Sequence, residues 1–394
     1  MSPKAARERA SVKARTPLTN SSIAELLAIE AESARAPLNK AFRRAARRSI
    51  LWPEEAAGIF NDGRSLTELP GVGPYLEKVI RGWIENPQKL PGPPPEVRRG
   101  FFTLSKAREI LARKPAWLRK PRGDLQMHTE WSDGSGSIAE MAEAAVQRGY
   151  EFIAITDHSK GLKIASGIDE AELRKQALEI ESVNETLRNQ GHTTRVLRSV
   201  ELNLNPSGKG DMDESALAEL DIVLGCFHSS LRRKEDQTER YLEALRNPSI
   251  QILGHPRGRI YNYRLGLTAN WPRVFDLAAS LDKAVEIDCY PDRQDLSQDL
   301  VLLARKAGCR ISLGTDAHGP SQLAFNEFGL ASAAQASVPR DRILNFMTAP
   351  ELLEWVSSVR HIASHSTNRL KFQPRRTRKP NTGWSRNPRC DTMS

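Results

Sequence analysis

Apolar runs of strand length alternate with amphipathic helical stretches between Gly123 and about residue 318. Seven runs follow one another: GDLQMHT, EFIAITDH, TRVLRSVELNL, DIVLGCFHSS, SIQILGHP, KAVEIDCY and RISLGTDAH. Strands that alternate with helices indicate a parallel α/β arrangement. Polar residues recur at the carboxyl end of nearly every run, where barrel folds keep their functional side chains. We therefore predict a distorted seven-stranded (β/α) barrel within residues 123–360.

The part of the chain before the barrel has a helical pattern. Residues 17–86 predict a small all-α domain, because SSIAELLAIEAES opens with a serine cap signal and NKAFRRAARRSI has helical spacing. The second of these segments places Arg43, Arg44, Arg47 and Arg48 along one side. That side is either an ordinary solvated surface or a cationic face for a polyanion.

A glycine turn in residues 66–85, LTELPGVGPYLEKVIRGWIE, favours the second interpretation. Gly71 and Gly73 allow a tight turn whose backbone N–H groups can approach a phosphate closely. The pattern is that of a helix-hairpin-helix, which grips the DNA backbone without reading its sequence; a purely structural turn is the alternative. We predict Gly71, Gly73, Arg43 and Arg47 as DNA-binding residues.

The remaining segments are polar. Residues 1–16 predict a disordered basic arm, and the proline-rich string NPQKLPGPPPEVRR predicts a linker that, with a connecting helix, spans residues 87–122. Residues 361–394 predict a disordered basic tail, because residues 366–394 carry eight Lys or Arg against one Asp.

Overall composition agrees with a polyanionic partner. Lys and Arg total 58 and Asp and Glu total 48, a net charge of +10, and 39% of residues are hydrophobic. No apolar run approaches the roughly 20 residues that span a bilayer, and no secretory signal opens the sequence. The four cysteines show no CxxC spacing. We expect a cytoplasmic protein with no membrane partner and no obligate protein partner.

Five of the eight histidines lie at or just past the end of a predicted strand: His128, His158, His228, His255 and His318. Asp133, Asp157, Glu201 and Asp316 occur at the same level. One strand-end histidine is usually a hydrogen-bonded core residue, but five at one edge indicate a metal site. Imidazoles mixed with carboxylates suit zinc, manganese or iron, and the donors are too many for one tetrahedral ion. The sequence therefore predicts a multinuclear site.

These strings resemble the PHP (polymerase and histidinol phosphatase) phosphoesterases. The matching strings are QMHTEWSDG, ITDHSKGL, the glutamate of SVELNL, GCFHSS, LGHPRGR and GTDAH, in the family's order. Within the family the chain looks most similar to the PHP portion of bacterial family X DNA polymerases, through TDHSKGL, GHPRGR and EIDCYPDRQDL. The amino-terminal region resembles the helix-hairpin-helix domain of those polymerases, but too few residues lie between the two parts for a polymerase palm.

The resemblance implies three divalent ions, manganese, zinc or iron. Its ligands would be Gln126, His128, Glu201 and Asp316 for the first ion, Glu201, His228 and His255 for the second, and Asp133, His158 and His318 for the third. Glu201 would then bridge two ions. Gln126 departs from the family's usual histidine, so the first ion would bind less firmly. Asp157 is either a residue that orients a ligand or an ordinary turn cap, and it is not assigned as a ligand.

The predicted function is hydrolysis of DNA phosphodiester or 3′-end phosphoester bonds, as a 3′-5′ exonuclease or end-processing enzyme. A metal-bridged hydroxide would attack phosphorus, and Glu201, Arg259 and Lys160 are the predicted catalytic residues beside it. The alternative is a small-molecule phosphomonoesterase resembling histidinol phosphatase. A third interpretation, from another class, is a DNA-binding adaptor whose metal site has decayed at Gln126.

Overall fold

The computed structural model describes residues 18–86, 90, 92–118 and 121–371. The helices are α1 Asn20–Ser33, α2 Leu38–Ser49, α3 Ala56–Asn61, α4 Pro74–Glu85, α5 Leu104–Ala112, α6 Ile138–Arg148, α7 Glu170–Asn189, α8 Glu214–Ala218, α9 Thr238–Arg246, α10 Trp271–Ser280, α11 Gln298–Ala307, α12 Asn326–Gln335 and α13 Ala349–Lys371. The strands are β1 Gly123–Asp124, β2 Phe152–Ile155, β3 Arg195–Arg198, β4 Glu201–Leu204, β5 Leu224–Phe227, β6 Ile252–Leu253, β7 Ala284–Asp288 and β8 Arg310–Gly314.

The strands form two parallel sheets, one ordered β1-β2-β3 and the other β4-β5-β6-β7-β8. Parallel bridges connect the sheets at two places, between Met127 and Ala317 and between His158 and Glu201. The carboxyl ends of the strands therefore meet on one face of the α/β part. Strands β2, β5 and β7 are buried along their whole length, as expected for parallel strands that helices cover.

The described residues contain eight strands in two sheets where we predicted seven in a distorted barrel, so the seven-stranded barrel is not confirmed. The predicted run TRVLRSVELNL is divided into β3, which pairs with β2, and β4, which pairs with β5. Asp221 forms two hydrogen bonds with the backbone of Arg198. The Asp221 carboxylate accepts from the Arg198 N–H at 2.8 Å, and the Asp221 N–H donates to the Arg198 carbonyl at 2.9 Å. These bonds hold the last residue of β3 against the segment that leads into β5.

Helices α1 to α4 enclose a core of their own, which includes Ile23, Leu27, Phe42, Trp52 and Leu66. A buried ion pair joins these helices to the segment predicted as a linker. The Arg98 guanidinium lies 2.7 Å from Glu25 and 2.6 Å from Glu32, and it also donates to Asn262 of the α/β part at 3.1 Å. The described part of the linker is thus a structural element of the interface between the two parts.

The far end of the chain departs from the predicted tail. Helix α13 continues through Lys371, so residues 361–371 are helical where we predicted disorder. The predicted arm at residues 1–16 and residues 372–394 of the predicted tail lie outside the described residues. Among the helices that the structure describes, none combines the length and apolar character needed to cross a membrane.

Candidate metal centre

Nine side chains predicted as metal ligands come together where the strands end. They follow or belong to six strands: Gln126, His128 and Asp133 after β1, His158 after β2, Glu201 in β4, His228 after β5, His255 after β6, and Asp316 and His318 after β8. Most are buried, and Gln126, His128, Glu201 and Asp316 are almost inaccessible to solvent. Their convergence follows from the parallel sheets, because strands that run in one direction bring their carboxyl ends to one face.

Glu201 lies at the middle of this group. Its Oε1 atom is 2.7 Å from His228 Nε2 and 2.8 Å from His255 Nε2, while its Oε2 atom is 3.2 Å from His128 Nε2. Burial opposes ionisation of Glu201, but the imidazoles around it outweigh that effect and hold its pKa well below the usual range. Glu201 is therefore a carboxylate surrounded by nitrogen donors.

Two further carboxylates face the imidazoles from either side of Glu201. Asp316 Oδ1 lies 2.9 Å from His128 Nε2. Asp133 Oδ1 lies 3.5 Å from both His158 Nε2 and His318 Nε2. Burial lowers the pKa of His158 to about 3, so that imidazole is neutral and has a free nitrogen lone pair to offer.

These side chains fit divalent metal ions. Ligand atoms within 4.8 Å of one another occur in four groups, His128-His158-His318, His158-Glu201-His228, Glu201-Cys226-His255 and His128-Glu201-Asp316. His128 Nδ1, His158 Nδ1 and Gln126 Oε1 are buried without a hydrogen-bond partner. Buried polar atoms of this kind cost free energy unless something binds them. A mixed imidazole and carboxylate set is the usual environment of zinc, manganese and iron.

Gln126 presents its amide nitrogen to the bridging carboxylate. Its Nε2 atom donates to Glu201 Oε2 at 3.1 Å, and its Oε1 atom points away without a partner. In this orientation the amide orients Glu201, whereas a ligand role would need the oxygen turned toward the ion. The ligand role of Gln126 stays a prediction.

Asp157 organises the loop that carries Asp133. Its carboxylate accepts from Thr129 N at 2.8 Å, Thr129 Oγ1 at 2.6 Å, Ser132 Oγ at 2.5 Å and Gln176 Nε2 at 2.7 Å. Three of these hydrogen bonds come from the loop itself and fix its start, and the fourth, from Gln176, connects the carboxylate to α7. Asp157 therefore holds the loop that carries Asp133, and an orienting role toward a ligand stays a prediction.

Arg293 is a residue of this face to which the sequence interpretation gave no role. Its Nη1 atom lies 2.8 Å from Asp316 Oδ2, and 31% of its side chain is exposed. Although desolvation alone would lower its pKa, the carboxylates of Asp316 and Asp288 raise the pKa of Arg293. The sequence did contain a signal for Arg293: strand β7 ends among the ligands, but no site residue had been predicted after it. The string EIDCYPDRQDL continues from that strand to Arg293.

Cys226 is another residue near this face to which the sequence interpretation gave no role. It lies on β5 within the group that contains Glu201 and His255. Burial raises the pKa of the Cys226 thiol well above its ordinary value, so the sulfur keeps its proton. A protonated thiol is a poor metal ligand, because the thiolate is the binding form.

Two residues predicted as catalytic have other partners. Arg259 stacks on Phe101, with its Cζ atom 3.7 Å from the ring centre, and donates to the Gly100 carbonyl at 3.0 Å. Lys160 forms an ion pair with Glu170 at 2.6 Å. Neither contacts a predicted ligand among the described residues, so their catalytic roles have no geometric support.

The four predicted DNA-binding residues lie in the helical part. Gly71 has a φ of +81°, and Gly73 is the residue before α4. Arg43 and Arg47 are exposed on α2. Burial raises the pKa of Asp292, and the guanidiniums of Arg293 and Arg47 oppose that rise. Arg47 is thus within electrostatic reach of the residue that precedes Arg293.

Comparison with known proteins identifies the α/β part. Residues 124–294 match the family model described as PHP domain. The DNA polymerase/3′-5′ exonuclease PolX of Bacillus subtilis (strain 168) is 36% identical over 260 residues, which are 65% of this chain and 44% of that protein. This chain thus spans less than half of the length of that relative.

Other similar proteins are named as phosphatases. A probable phosphatase of Thermoanaerobacter sp. (strain X514) is 28% identical over 235 residues, which cover 56% of this chain and 89% of that protein. The solved histidinol phosphate phosphatase of Lactococcus lactis, complexed with zinc, L-histidinol and phosphate, aligns with a TM-score of 0.39 at 16% identity and covers 56% of this chain and 95% of its own. Residues 124–294 thus match the PHP domain, the same family that the sequence strings resemble.

Proposed function

We propose that this protein hydrolyses DNA phosphoester bonds at 3′ ends, as a metal-dependent 3′-5′ exonuclease or end-processing enzyme. The observation that carries the proposal is the attachment of an arginine-bearing helical part to the PHP domain beside its metal centre. A phosphatase for small metabolites needs only the centre. The Bacillus relative, named as a polymerase and 3′-5′ exonuclease, supports the same substrate class.

The interface between the two parts is specific. The Arg98 ion pair is buried, with side chains 5% exposed for Arg98 and 6% for Glu25. Removing one partner of such a pair would leave an uncompensated buried charge, so the parts stay in contact. Leu104 N also donates to the Ile50 carbonyl at 2.7 Å, and Ile50 packs in the main core of the α/β part. Helix α2 therefore has a defined position relative to the metal centre.

In the proposed centre, Gln126, His128, Asp133, His158, Glu201, His228, His255, Asp316 and His318 would hold up to three divalent ions. Such ions lower the pKa of a bound water toward neutrality and neutralise charge on a phosphoryl group. Glu201 would hold ions together, because both of its oxygens face imidazoles.

Arg293 is the protein's own cation at this centre. Its side chain reaches Asp316 and remains partly exposed, so a phosphoryl oxygen could share the guanidinium. A planar guanidinium binds two oxygens at once, which suits the equatorial oxygens of a phosphoryl group in the transition state. We assign to Arg293 the stabilising role that the sequence interpretation gave to Arg259.

A phosphomonoesterase of small metabolites is the second candidate, because several relatives named probable phosphatase match the PHP domain over most of their length. The two candidates differ in substrate length. A DNA exonuclease should release mononucleotides from a single-stranded oligonucleotide far faster than it hydrolyses an aryl phosphate, and a phosphomonoesterase should show the opposite preference.

The test combines elemental analysis of the purified protein with both assays under added manganese, zinc and magnesium. Bound metal with metal-dependent release of nucleotides from the 3′ end is the expected result. Turnover of the aryl phosphate alone would establish the second candidate. A protein that binds DNA but holds no metal and hydrolyses neither substrate would be an adaptor. Truncation is a poor control here, since removal of the helical part would delete Ile50 from the main core and leave Arg98 without its carboxylate partners.

A further inference from the structure

Four arginines converge on a cavity that none of the proposed chemistry uses. The cavity has a volume of about 180 Å³ and lies between the linker residues 96–101, the loop after β6 and the start of α11. Its cationic lining residues are Arg99, Arg257, Arg259 and Arg264. Liquid water occupies about 30 Å³ per molecule, so the space holds a group much larger than one water.

The positive charge of this lining is not neutralised by the protein. Within the described ranges, no carboxylate forms an ion pair with any of the four arginines. Each instead donates to a backbone carbonyl: Arg99 to Pro94, Arg257 to Leu267 at 3.4 Å, Arg259 to Gly100 at 3.0 Å and Arg264 to Gly258 at 2.5 Å. Glu96 and Asp299 also line the cavity, but both are exposed at its edge. The lining retains a net positive charge.

Arg259 is the buried member of this set. It is 5% exposed, it lies flat on the Phe101 ring, and its Nε atom has no hydrogen-bond partner. Desolvation lowers the pKa of Arg259 to about 10. Asp295 lies behind it, but Asp295 accepts from the Gly258 N–H at 2.6 Å, and burial raises its pKa. A buried guanidinium without a paired anion is costly, and an anion in the cavity would offset that cost.

The amino end of helix α11 adds to the positive electrostatic potential in the cavity. Helix α11 has ten residues and begins after Ser297, whose side chain makes no capping bond. Ser297 is 5% exposed, lines the cavity, and its Oγ atom has no partner. The amino end of a helix carries a partial positive charge and free N–H groups that favour anions. Two residues that line the cavity, Arg259 and Ser297, therefore each have a buried polar atom without a partner.

We propose that this cavity is a second phosphate site, and that in the DNA complex it holds a backbone phosphate of the strand whose 3′ end is hydrolysed. The choice of DNA as the source of the phosphate depends on the proposed function; the anion site itself does not. Arg257 and Arg259 of the cavity wall belong to the loop after β6, which also carries the predicted ligand His255. The planar guanidinium group of arginine binds phosphate oxygens well. Three arginines without a carboxylate partner line the cavity together with Arg259.

The experiment compares the double variant Arg99→Gln/Arg264→Gln with wild type and with Arg246→Gln/Arg273→Gln. The control pair removes the same charge from exposed arginines that have acidic partners. One probe is a labelled single-stranded DNA with a phosphorothioate 3′ end, measured by fluorescence anisotropy across salt concentrations. The other is inorganic phosphate, measured by its effect on the melting temperature of the metal-loaded protein.

The double variant should bind DNA about tenfold more weakly, as expected for lost charge-assisted hydrogen bonds. Its salt slope should fall by about 0.7 for one lost phosphate contact. Phosphate should raise the melting temperature of the wild type and the control more than that of the double variant. The single variant Arg99→Gln, at an exposed position, should lose about threefold in affinity by the same reasoning and guards against misfolding of the double variant.

Loss of the phosphate effect with unchanged DNA affinity would assign the cavity to free phosphate and overturn the DNA source. No change in either measurement would overturn the site. If the wild type neither binds nor hydrolyses DNA, the proposed function fails, while the melting comparison still decides whether the cavity binds phosphate.

Discussion

The metal face and the α2 surface both carry many charged side chains, but they are built differently. On the metal face most of the side chains are buried, and the central one, Glu201, is held by His228 and His255. On α2, Arg43 and Arg47 are exposed. The difference teaches that bond cleavage needs fixed geometry, whereas sequence-independent attachment to DNA needs only charge at the right distance.

The metal face should depend most on Glu201. The variant Glu201→Gln should lose metal and at least about 10³-fold in turnover, because removal of one preorganised donor alone costs 10²–10³-fold and this carboxylate faces three imidazoles. Elemental analysis and nucleotide release measure both effects. Full metal content together with near-normal turnover would show that this face does not have the proposed chemistry.

The junction between the two regions should depend on the buried ion pair. The variant Arg98→Ala should destabilise the protein by about 3–5 kcal/mol, because Glu25 would remain buried without a partner. Denaturant unfolding measures this change. The matched control is Arg108→Ala, whose exposed pair with Glu327 should contribute only about 0–1 kcal/mol. Equal effects from the two variants would mean that the regions are not coupled through Arg98.

Variants of Arg293 should distinguish stabilisation of phosphoryl charge from metal binding on the same face. The variant Arg293→Gln should lose about 100-fold in turnover but keep its metal, since Asp316 would lose a competing cation. The variant Arg293→Lys keeps the charge without the fork and should lose about tenfold by the same reasoning. Elemental analysis beside turnover numbers distinguishes these outcomes, and metal loss in Arg293→Gln would make Arg293 a structural residue.

The hairpin turn can be tested with two glycines of similar conformation. Gly71 has a φ of +81° and Gly63 a φ of +72°, so an alanine at either position should cost about 1 kcal/mol of stability. A Cβ at Gly71 would lie 2.5 Å from Arg48 Cδ, while one at Gly63 meets nothing within 4 Å. Only Gly71→Ala should weaken DNA binding, by about threefold, in anisotropy measurements. Equal DNA affinity in both variants would reduce the turn to a structural role.

The α2 surface should show the smallest effect. The variant Arg43→Gln/Arg47→Gln should bind DNA a few-fold more weakly, with a salt slope lower by about 1.4 for two lost contacts to a single strand. The charge-conserving pair Arg43→Lys/Arg47→Lys should bind like the wild type. An unchanged slope in the glutamine variant would place the DNA elsewhere.

The sequence was sufficient to predict those parts of the fold and site that follow from the alternation of strands and helices. The strand-end histidines converge because parallel strands share one face, so His128 and His318 meet although they are distant in sequence. The division of the third run was not predicted, because it depends on the strand with which each half pairs, β2 for β3 and β5 for β4. Arg259 was expected at the metal centre because it follows His255 closely. The turn at Gly258, with a φ of +63°, instead directs the chain toward Phe101.

The docked linker has a consequence for the products. If DNA binds to α2 and is cleaved at the PHP domain, the buried Arg98 contact keeps the distance between the binding surface and the metal centre constant. A strand shorter than that distance can be held at only one end, so degradation should slow sharply and leave a limit digest of oligonucleotides. The length of those remnants would report the distance between the two halves of the molecule.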